Sequence, residues 1–228
     1  MEVRIFFWAP GINSYMKNVI WVFREERSGS TAFLNLLVKR LRLPVYHVSS
    51  DEALPVIQDK AIFTTHDFPL LKDLSIHDEP VLIRCTRKNK AEQYLSDLMR
   101  WWMGETVDKA LNMYDREYTL REEGYAELIE RFEKVEPTVI TKSRLAWIHK
   151  KYADKRHFWN TYANNYPNCT VYYEDLCEGI DLPMFGLTDF KLTNDLVVKK
   201  LPDYKRRVFL NHDMLVKWTQ ELVEKDFG

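Results

Sequence analysis

A continuous apolar segment, followed by a polar loop and an amphipathic segment, constrains the fold more than any other feature of the sequence. Residues 18–23 read NVIWVF, a β-branched and aromatic run typical of a strand buried on both faces of a parallel sheet. The polar residues EERSGST follow, and residues 32–43 then carry apolar side chains at helical spacing. The order strand, loop, helix predicts an α/β fold.

Strand and helix patterns alternate along the rest of the chain. Short apolar runs predict further strands, and helical spacing predicts helices, at these positions: strands at 45–49, Ala61–Thr65, Val81–Thr86 and 170–173, helices at 90–103, 120–135, 143–164 and 213–225. The alternation predicts a three-layer, P-loop-like α/β fold in which helices flank a central parallel sheet, with a helical insertion at about 104–165. We expect one domain over 1–228, because no repeat, low-complexity segment or linker divides the chain.

Composition limits the classes of protein that the chain can belong to. Of its 228 residues, 46% are hydrophobic and 29% are charged, as in ordinary folded domains. A net charge of -1 argues against a surface built for nucleic acid, because such binding needs a clustered basic footprint. The three cysteines lack metal-ligand spacing, which favours reduced thiols, and neither a signal peptide nor a membrane-spanning apolar run is recognisable. We therefore expect a cytoplasmic protein without nucleic-acid partners or a membrane span.

The loop Arg27-Ser28-Gly29-Ser30-Thr31 is the first candidate ligand site. It lies where a buried strand ends and a helix begins, which is where open α/β sheets bind ligands. Successive backbone N–H groups in such a turn can bind an anion, Gly29 permits close approach of the backbone, and the Ser30 and Thr31 hydroxyls add donors. The alternative interpretation is an ordinary helix start, in which Ser28 or Ser30 only caps the helix.

A second basic segment follows the predicted strand Val81–Thr86. Arg87 comes directly after this strand, and Ser96 lies within the next predicted helix. The planar guanidinium group of an arginine suits a phosphate, because it presents several hydrogen-bond donors in a fixed geometry. The alternative is a solvated basic helix start.

His66 is the candidate general base. It follows the predicted strand Ala61–Thr65, and a neutral imidazole with a pKa near 6.5 suits proton abstraction near neutral pH. A carboxylate from Asp51 or Glu52, just after the second predicted strand, is the rival base, and His47 is a further candidate. A purely structural histidine is the alternative to all of these roles.

These segments resemble the sulfotransferase superfamily, and the spelling is most similar to bacterial trehalose-type sulfotransferases. The 5′-phosphosulfate loop of the superfamily reads Pro-(Lys/Arg)-Ser-Gly-(Thr/Ser)-Thr, and Glu26 replaces its proline here. The bacterial enzymes carry a Thr-Arg-Arg-Asp-Lys segment and a serine at the spacing of Arg87 and Ser96. The family segment Lys-Thr-His-Leu-Pro is similar to the stretch around His66, although Thr64 stands at the lysine position and one residue is inserted before Pro69.

The resemblance implies a donor, 3′-phosphoadenosine 5′-phosphosulfate (PAPS), and no metal. It also implies that His66 takes the proton from the acceptor hydroxyl. The binding roles that it implies are as follows: Arg27 contacts the leaving 5′-phosphate, Ser28, Gly29, Ser30 and Thr31 cradle that phosphate, Arg87 and Ser96 hold the 3′-phosphate, and Tyr173, in the segment Tyr-Glu-Asp-Leu, packs near the adenine. The C-terminal Arg-Lys-Gly loop of the family is not recognisable, and its candidate replacements, which a solvated basic stretch would also explain, are Lys199, Lys200, Lys205, Arg206 and Arg207.

The sequence thus predicts a sulfotransferase that acts on a hydroxyl of a carbohydrate or small molecule. Trp101, Trp102 and Trp147 are aromatic residues that either stack on a sugar or pack in a helical core. A P-loop-type small-molecule or nucleotide kinase is the first alternative, although Ser30 stands at the lysine position of a kinase loop and Arg24 at its first glycine. The second alternative is a catalytically inactive nucleotide- or glycan-binding module on the same fold.

Overall fold

The computed structural model describes residues 19–49, 60–74, 80–102, 133–192 and 204–226. The chain divides into two compact units, of which the first comprises Met1–Lys88 and Tyr152–Thr193 and the second comprises Asn89–Lys151 and Asn194–Gly228. The single domain over 1–228 stays a prediction.

A five-stranded parallel sheet forms the centre of the first unit. Its strands are β1 (Val19–Arg24), β2 (Val45–His47), β3 (Ala61–Thr65), β4 (Val81–Thr86) and β5 (Asn168–Tyr172). They are arranged in the order β2-β3-β1-β4-β5, and each neighbouring pair is parallel. β1 is apolar and buried from Val19 to Phe23, as expected of a central strand that is covered on both faces. The predicted α/β fold, with a central parallel sheet flanked by helices, is confirmed.

Helices follow several of these strands. They are α1 (Ser30–Leu41), α2 (Lys90–Trp102), α3 (Lys142–Tyr162), α4 (Tyr173–Glu178), α5 (Tyr204–Val208) and α6 (His212–Lys225). Two further strands, β6 (Ile180–Leu182) and β7 (Leu187–Phe190), form an antiparallel pair that the sequence analysis did not predict. The predicted helix at 120–135 falls almost wholly outside the described residues.

Aromatic side chains form the core of the first unit. Trp21 of β1 stacks on Phe63 of β3 with ring centroids 4.9 Å apart, and Phe23 packs against Phe68 at 5.4 Å. Trp159 of α3 meets Phe23 edge to face at 6.1 Å. Because aromatic side chains bury large areas, this cluster fixes α3 against β1 and holds the end of β1 in place.

The second unit contains α2, α5, α6 and the first half of α3. The buried hydroxyl of Tyr94 lies 3.2 Å from Nδ1 of His149, whose Nε2 lies 3.2 Å from a carboxylate oxygen of Asp226. Asp97 is buried and accepts a hydrogen bond from Lys151 at 3.1 Å. Within the described ranges, no helix is both long and apolar enough to cross a membrane.

Candidate functional site

The carboxyl ends of adjacent strands bring three of the predicted site segments to one edge of the sheet. In the strand register, Phe23 of β1 pairs with Thr65 of β3, and Arg24 pairs with Cys85 of β4. The residues that follow β1, β3 and β4 therefore lie side by side. These residues are His66, Arg87 and the loop that follows Arg24.

The loop after β1 does not start the helix in the ordinary way. The N-cap of α1 is Gly29, and no side chain caps the helix. The hydroxyl of Ser28 instead donates to the carbonyl oxygen of Glu25 at 2.6 Å. Neither Ser28 nor Ser30 therefore caps the helix, and Ser30 and Thr31 form the first turn of α1. The choice between a ligand site and an ordinary helix start stays a prediction.

Two residues of the loop adopt positive φ. Arg27 has a φ of 57° and Gly29 a φ of 69°, both in the left-handed region. For Arg27 this conformation is strained, and such strain persists only where the surroundings hold it. Glycine is required at position 29 for two reasons. The first is its positive φ, and the second is that a Cβ atom at this position would lie 2.2 Å from Cδ2 of Tyr173. Alternating backbone conformations of this kind direct successive N–H groups into a concavity that binds anions.

Glu26 connects the loop after β1 to α3. Its carboxylate accepts a hydrogen bond from Nζ of Lys155 at 2.7 Å, and its carbonyl oxygen accepts one from the Tyr152 hydroxyl at 3.0 Å. Both donors lie on α3 within the first unit. Glu26 is thus bonded to a helix that the sequence analysis did not connect with the site.

The imidazole of His66 has a defined tautomer. Its Nδ1 lies 2.7 Å from the carbonyl oxygen of Arg24. Because a carbonyl oxygen can only accept, Nδ1 carries the hydrogen and donates it. In the neutral ring Nε2 therefore carries the lone pair, as a proton acceptor requires.

The surroundings of His66 keep it neutral. Burial first, and then the positive charges of Arg24 and Lys155, lower its pKa from 6.5 to about 4, against an opposite effect of Glu26. At neutral pH the imidazole is therefore uncharged. A bound anion would offset the two cations and raise the pKa again, so the ring would become a better base when the site is filled.

Arg87 lies against the ring of Tyr173. The guanidinium carbon is 4.6 Å from the ring centroid, in a cation–π arrangement. Nε of Arg87 is buried and has no hydrogen-bond partner among the described residues. A buried donor of this kind is costly unless a ligand or water accepts its hydrogen. The predicted packing of Tyr173 near an adenine stays a prediction, and the ring already contacts Arg87.

The neighbour of Arg87 is held by the start of α4. The backbone N–H of Lys88 donates to a carboxylate oxygen of Glu174 at 2.9 Å, and Nζ of Lys88 pairs with Asp175. The acids of the Tyr-Glu-Asp-Leu segment therefore fix the turn that presents Arg87.

Other predicted residues lie elsewhere or fall outside the described residues. Ser96 is half-buried on α2, in the second unit, so its pairing with Arg87 stays a prediction. His47 is exposed, with Nδ1 3.5 Å from a guanidinium nitrogen of Arg24. Asp51 and Glu52 lie outside the described residues, and so do Lys199 and Lys200.

The remaining basic residues near the C-terminus have protein partners within the second unit. Their contacts are Lys205 with Glu92, Arg206 with Asp213, and Arg207 with the carbonyl of Glu133. Trp147 is exposed on α3, and the guanidinium carbon of Arg144 lies 4.9 Å from its ring centroid. The choice between phosphate binding and a solvated basic stretch stays a prediction for Lys205, Arg206 and Arg207.

Sequence reasoning missed Glu25 and Arg84, which form a buried ion pair beneath the loop. The available signal was Arg84 itself, a charged residue inside the apolar strand run VLIRCT. Because a charge on a strand buried on both faces needs a counter-charge, this arginine predicts an acidic partner at a neighbouring strand.

Comparison with known proteins does not assign the chain to a family. No family model, no curated protein and no solved structure matches the chain.

Proposed function

We propose that the chain transfers a sulfuryl group from PAPS to a hydroxyl group of a carbohydrate or small molecule. The observation that carries the proposal is the meeting of a loop with two positive φ angles, a neutral histidine and an arginine at three neighbouring strand ends. The resemblance of these same segments to the sulfotransferase superfamily supports the choice of donor.

The residues at the site fit a nucleotide with two phosphate groups. The loop from Arg27 to Ser30, with its positive φ angles and the N-terminus of α1, would hold the 5′-phosphosulfate. Arg87, whose buried Nε has no hydrogen-bond partner among the described residues, would hold the 3′-phosphate.

The chemistry of each side chain follows from its surroundings. PAPS supplies the sulfuryl group when it is bound. Nε2 of His66 accepts the proton of the acceptor hydroxyl, because Nδ1 is committed to Arg24. Arg27 and the loop N–H groups stabilise the negative charge that develops on the leaving phosphate.

The test is binding of adenosine 3′,5′-bisphosphate to the protein in the presence of EDTA. We expect a rise in the melting temperature and a calorimetric affinity that added Mg²⁺ does not change, because the loop lacks the kinase lysine. Adenosine 5′-monophosphate serves as the matched ligand without the 3′-phosphate. A strict requirement for Mg²⁺, or ATP turnover, would contradict the proposal and favour a kinase.

An acceptor screen with radiolabelled donor then separates an enzyme from a binding module. Transfer of label to any hydroxyl compound supports the proposal. Binding of the bisphosphate without transfer to any acceptor would favour the catalytically inactive module on the same fold.

A further inference from the structure

Glu25 is a fully buried acid at the base of the loop. It follows β1 directly, and its carboxylate is bonded through both oxygens. Oε1 accepts hydrogen bonds from Nε of Arg84 at 2.9 Å and from a terminal nitrogen of the same guanidinium. Oε2 accepts one from the hydroxyl of Thr86 at 2.5 Å. Arg84 and Thr86 both belong to β4, so this carboxylate joins the end of β1 to the end of β4.

The main chain of Glu25 makes two further connections. Its N–H donates to the carbonyl oxygen of Cys85 at 3.1 Å, which extends the pairing of β1 and β4 by one residue. Its carbonyl oxygen accepts the hydrogen bond from Ser28. One residue therefore contacts the loop on one side and the strand that leads to Arg87 on the other.

This ion pair contributes more to the geometry of the loop than to net stability. A buried ion pair is often no more stabilising than apolar side chains of similar size, because both charges lose their hydration. The loop above it contains Arg27 at a positive φ, a strained conformation that needs support from its surroundings. A rigid, directional carboxylate contact provides such support, whereas apolar packing would fix the backbone less sharply.

We propose that Glu25 is a positioning residue. Through Arg84 and Thr86 it holds the loop after β1 and Arg87 at a fixed separation. The identity of the ligand rests on the proposed function, whereas the effect of Glu25 on the loop does not depend on it. Loss of the carboxylate network loosens the loop even without a ligand, and it weakens ligands that contact both the loop and Arg87.

The main variant replaces both charges, Glu25→Leu with Arg84→Met, so that no buried charge is left alone. Thr86→Val is the second variant, which removes the hydrogen bond to Oε2 and keeps the shape of the side chain. The matched control is Asp97→Asn with Lys151→Met, which removes another pair with a buried carboxylate, in the second unit.

The first measurement is hydrogen–deuterium exchange of the backbone N–H groups at 27–31 in the ligand-free protein. We expect exchange about tenfold faster in the double variant, a smaller increase in Thr86→Val, and none in the control. Exchange in β1 and β3 should stay as in the wild type, which shows that the fold is intact. Unchanged exchange at 27–31 in a folded double variant or in Thr86→Val would overturn the inference.

The second measurement is the dissociation constant of adenosine 3′,5′-bisphosphate. We expect about tenfold weaker binding in the double variant and wild-type binding in the control. Faster loop exchange with unchanged affinity would overturn the link between Glu25 and the ligand. If the wild type itself does not bind the bisphosphate, the proposed function fails, while the exchange measurement still decides whether Glu25 positions the loop.

Discussion

Replacing His66 with asparagine should remove one source of the acid sensitivity of the fold. In the folded protein, burial first, and then Arg24 and Lys155, lower the pKa of His66 from 6.5 to about 4. Between these two values the unfolded chain binds a proton that the folded chain does not bind. Stability contributed by the neutral imidazole is therefore complete above about pH 6.5 and is lost as the pH falls towards 4.

The size of this effect follows from the two pKa values. One pH unit of difference corresponds to about 1.4 kcal/mol, so His66 contributes at most about 3 kcal/mol to the loss of stability between pH 7 and pH 4. Asparagine is the informative replacement, because its side-chain N–H₂ can donate to the carbonyl of Arg24 as Nδ1 does, and it does not titrate.

The assay is urea unfolding of both proteins between pH 4 and pH 7, followed by circular dichroism. The free energy of unfolding of the wild type should fall relative to that of His66→Asn by about 2 to 3 kcal/mol across this range. His157→Asn, at an exposed position of α3, is the matched control for the loss of a histidine. Parallel curves for wild type and His66→Asn would refute the argument that burial keeps His66 neutral.

Three further changes test the site. Gly29→Ala should lower stability by about 1 to 3 kcal/mol in thermal unfolding, because of its φ of 69° and the clash with Tyr173; a melting temperature equal to that of the wild type would contradict this geometry. Arg87→Ala should weaken adenosine 3′,5′-bisphosphate by about 1.5 to 3 kcal/mol in calorimetry and leave adenosine 5′-monophosphate nearly unchanged; equal losses would mean that Arg87 is misassigned. His66→Ala should keep donor affinity within about twofold while turnover falls about 10²- to 10⁴-fold, and a folded variant that retains its turnover would remove His66 from the chemistry.

The central strands could be predicted because a strand that is buried on both faces consists of consecutive apolar residues. β3 and β4 begin and end where the apolar runs predicted, at Ala61–Thr65 and Val81–Thr86. The short pair β6 and β7 could not be predicted, since its burial does not alternate along β7 and its turn depends on Gly186 at a φ of 64°. The apolar run predicts that the last strand extends to Tyr173, whereas Tyr173 begins α4.

The candidate site was predictable only where it follows a strand directly. The loop, His66 and Arg87 each come after an apolar run, so local sequence was enough to single them out. The contacts that support them join residues far apart in the chain, as Lys155 does with Glu26. Lys155 lies in the charged helical segment KKYADKRH, where nothing in the local sequence distinguishes it from the neighbouring basic residues or indicates its partner.

The contact between Gly29 and Tyr173 also restricts how this chain can vary through evolution. Any side chain at 29 meets two independent penalties, the backbone conformation and the tyrosine ring. A smaller residue at 173 removes only the clash with the ring, and it also removes the cation–π contact with Arg87. A viable path therefore needs coordinated replacements, with asparagine as the best non-glycine choice at 29 because it tolerates the left-handed region. Among related chains, these two positions should consequently change together or not at all.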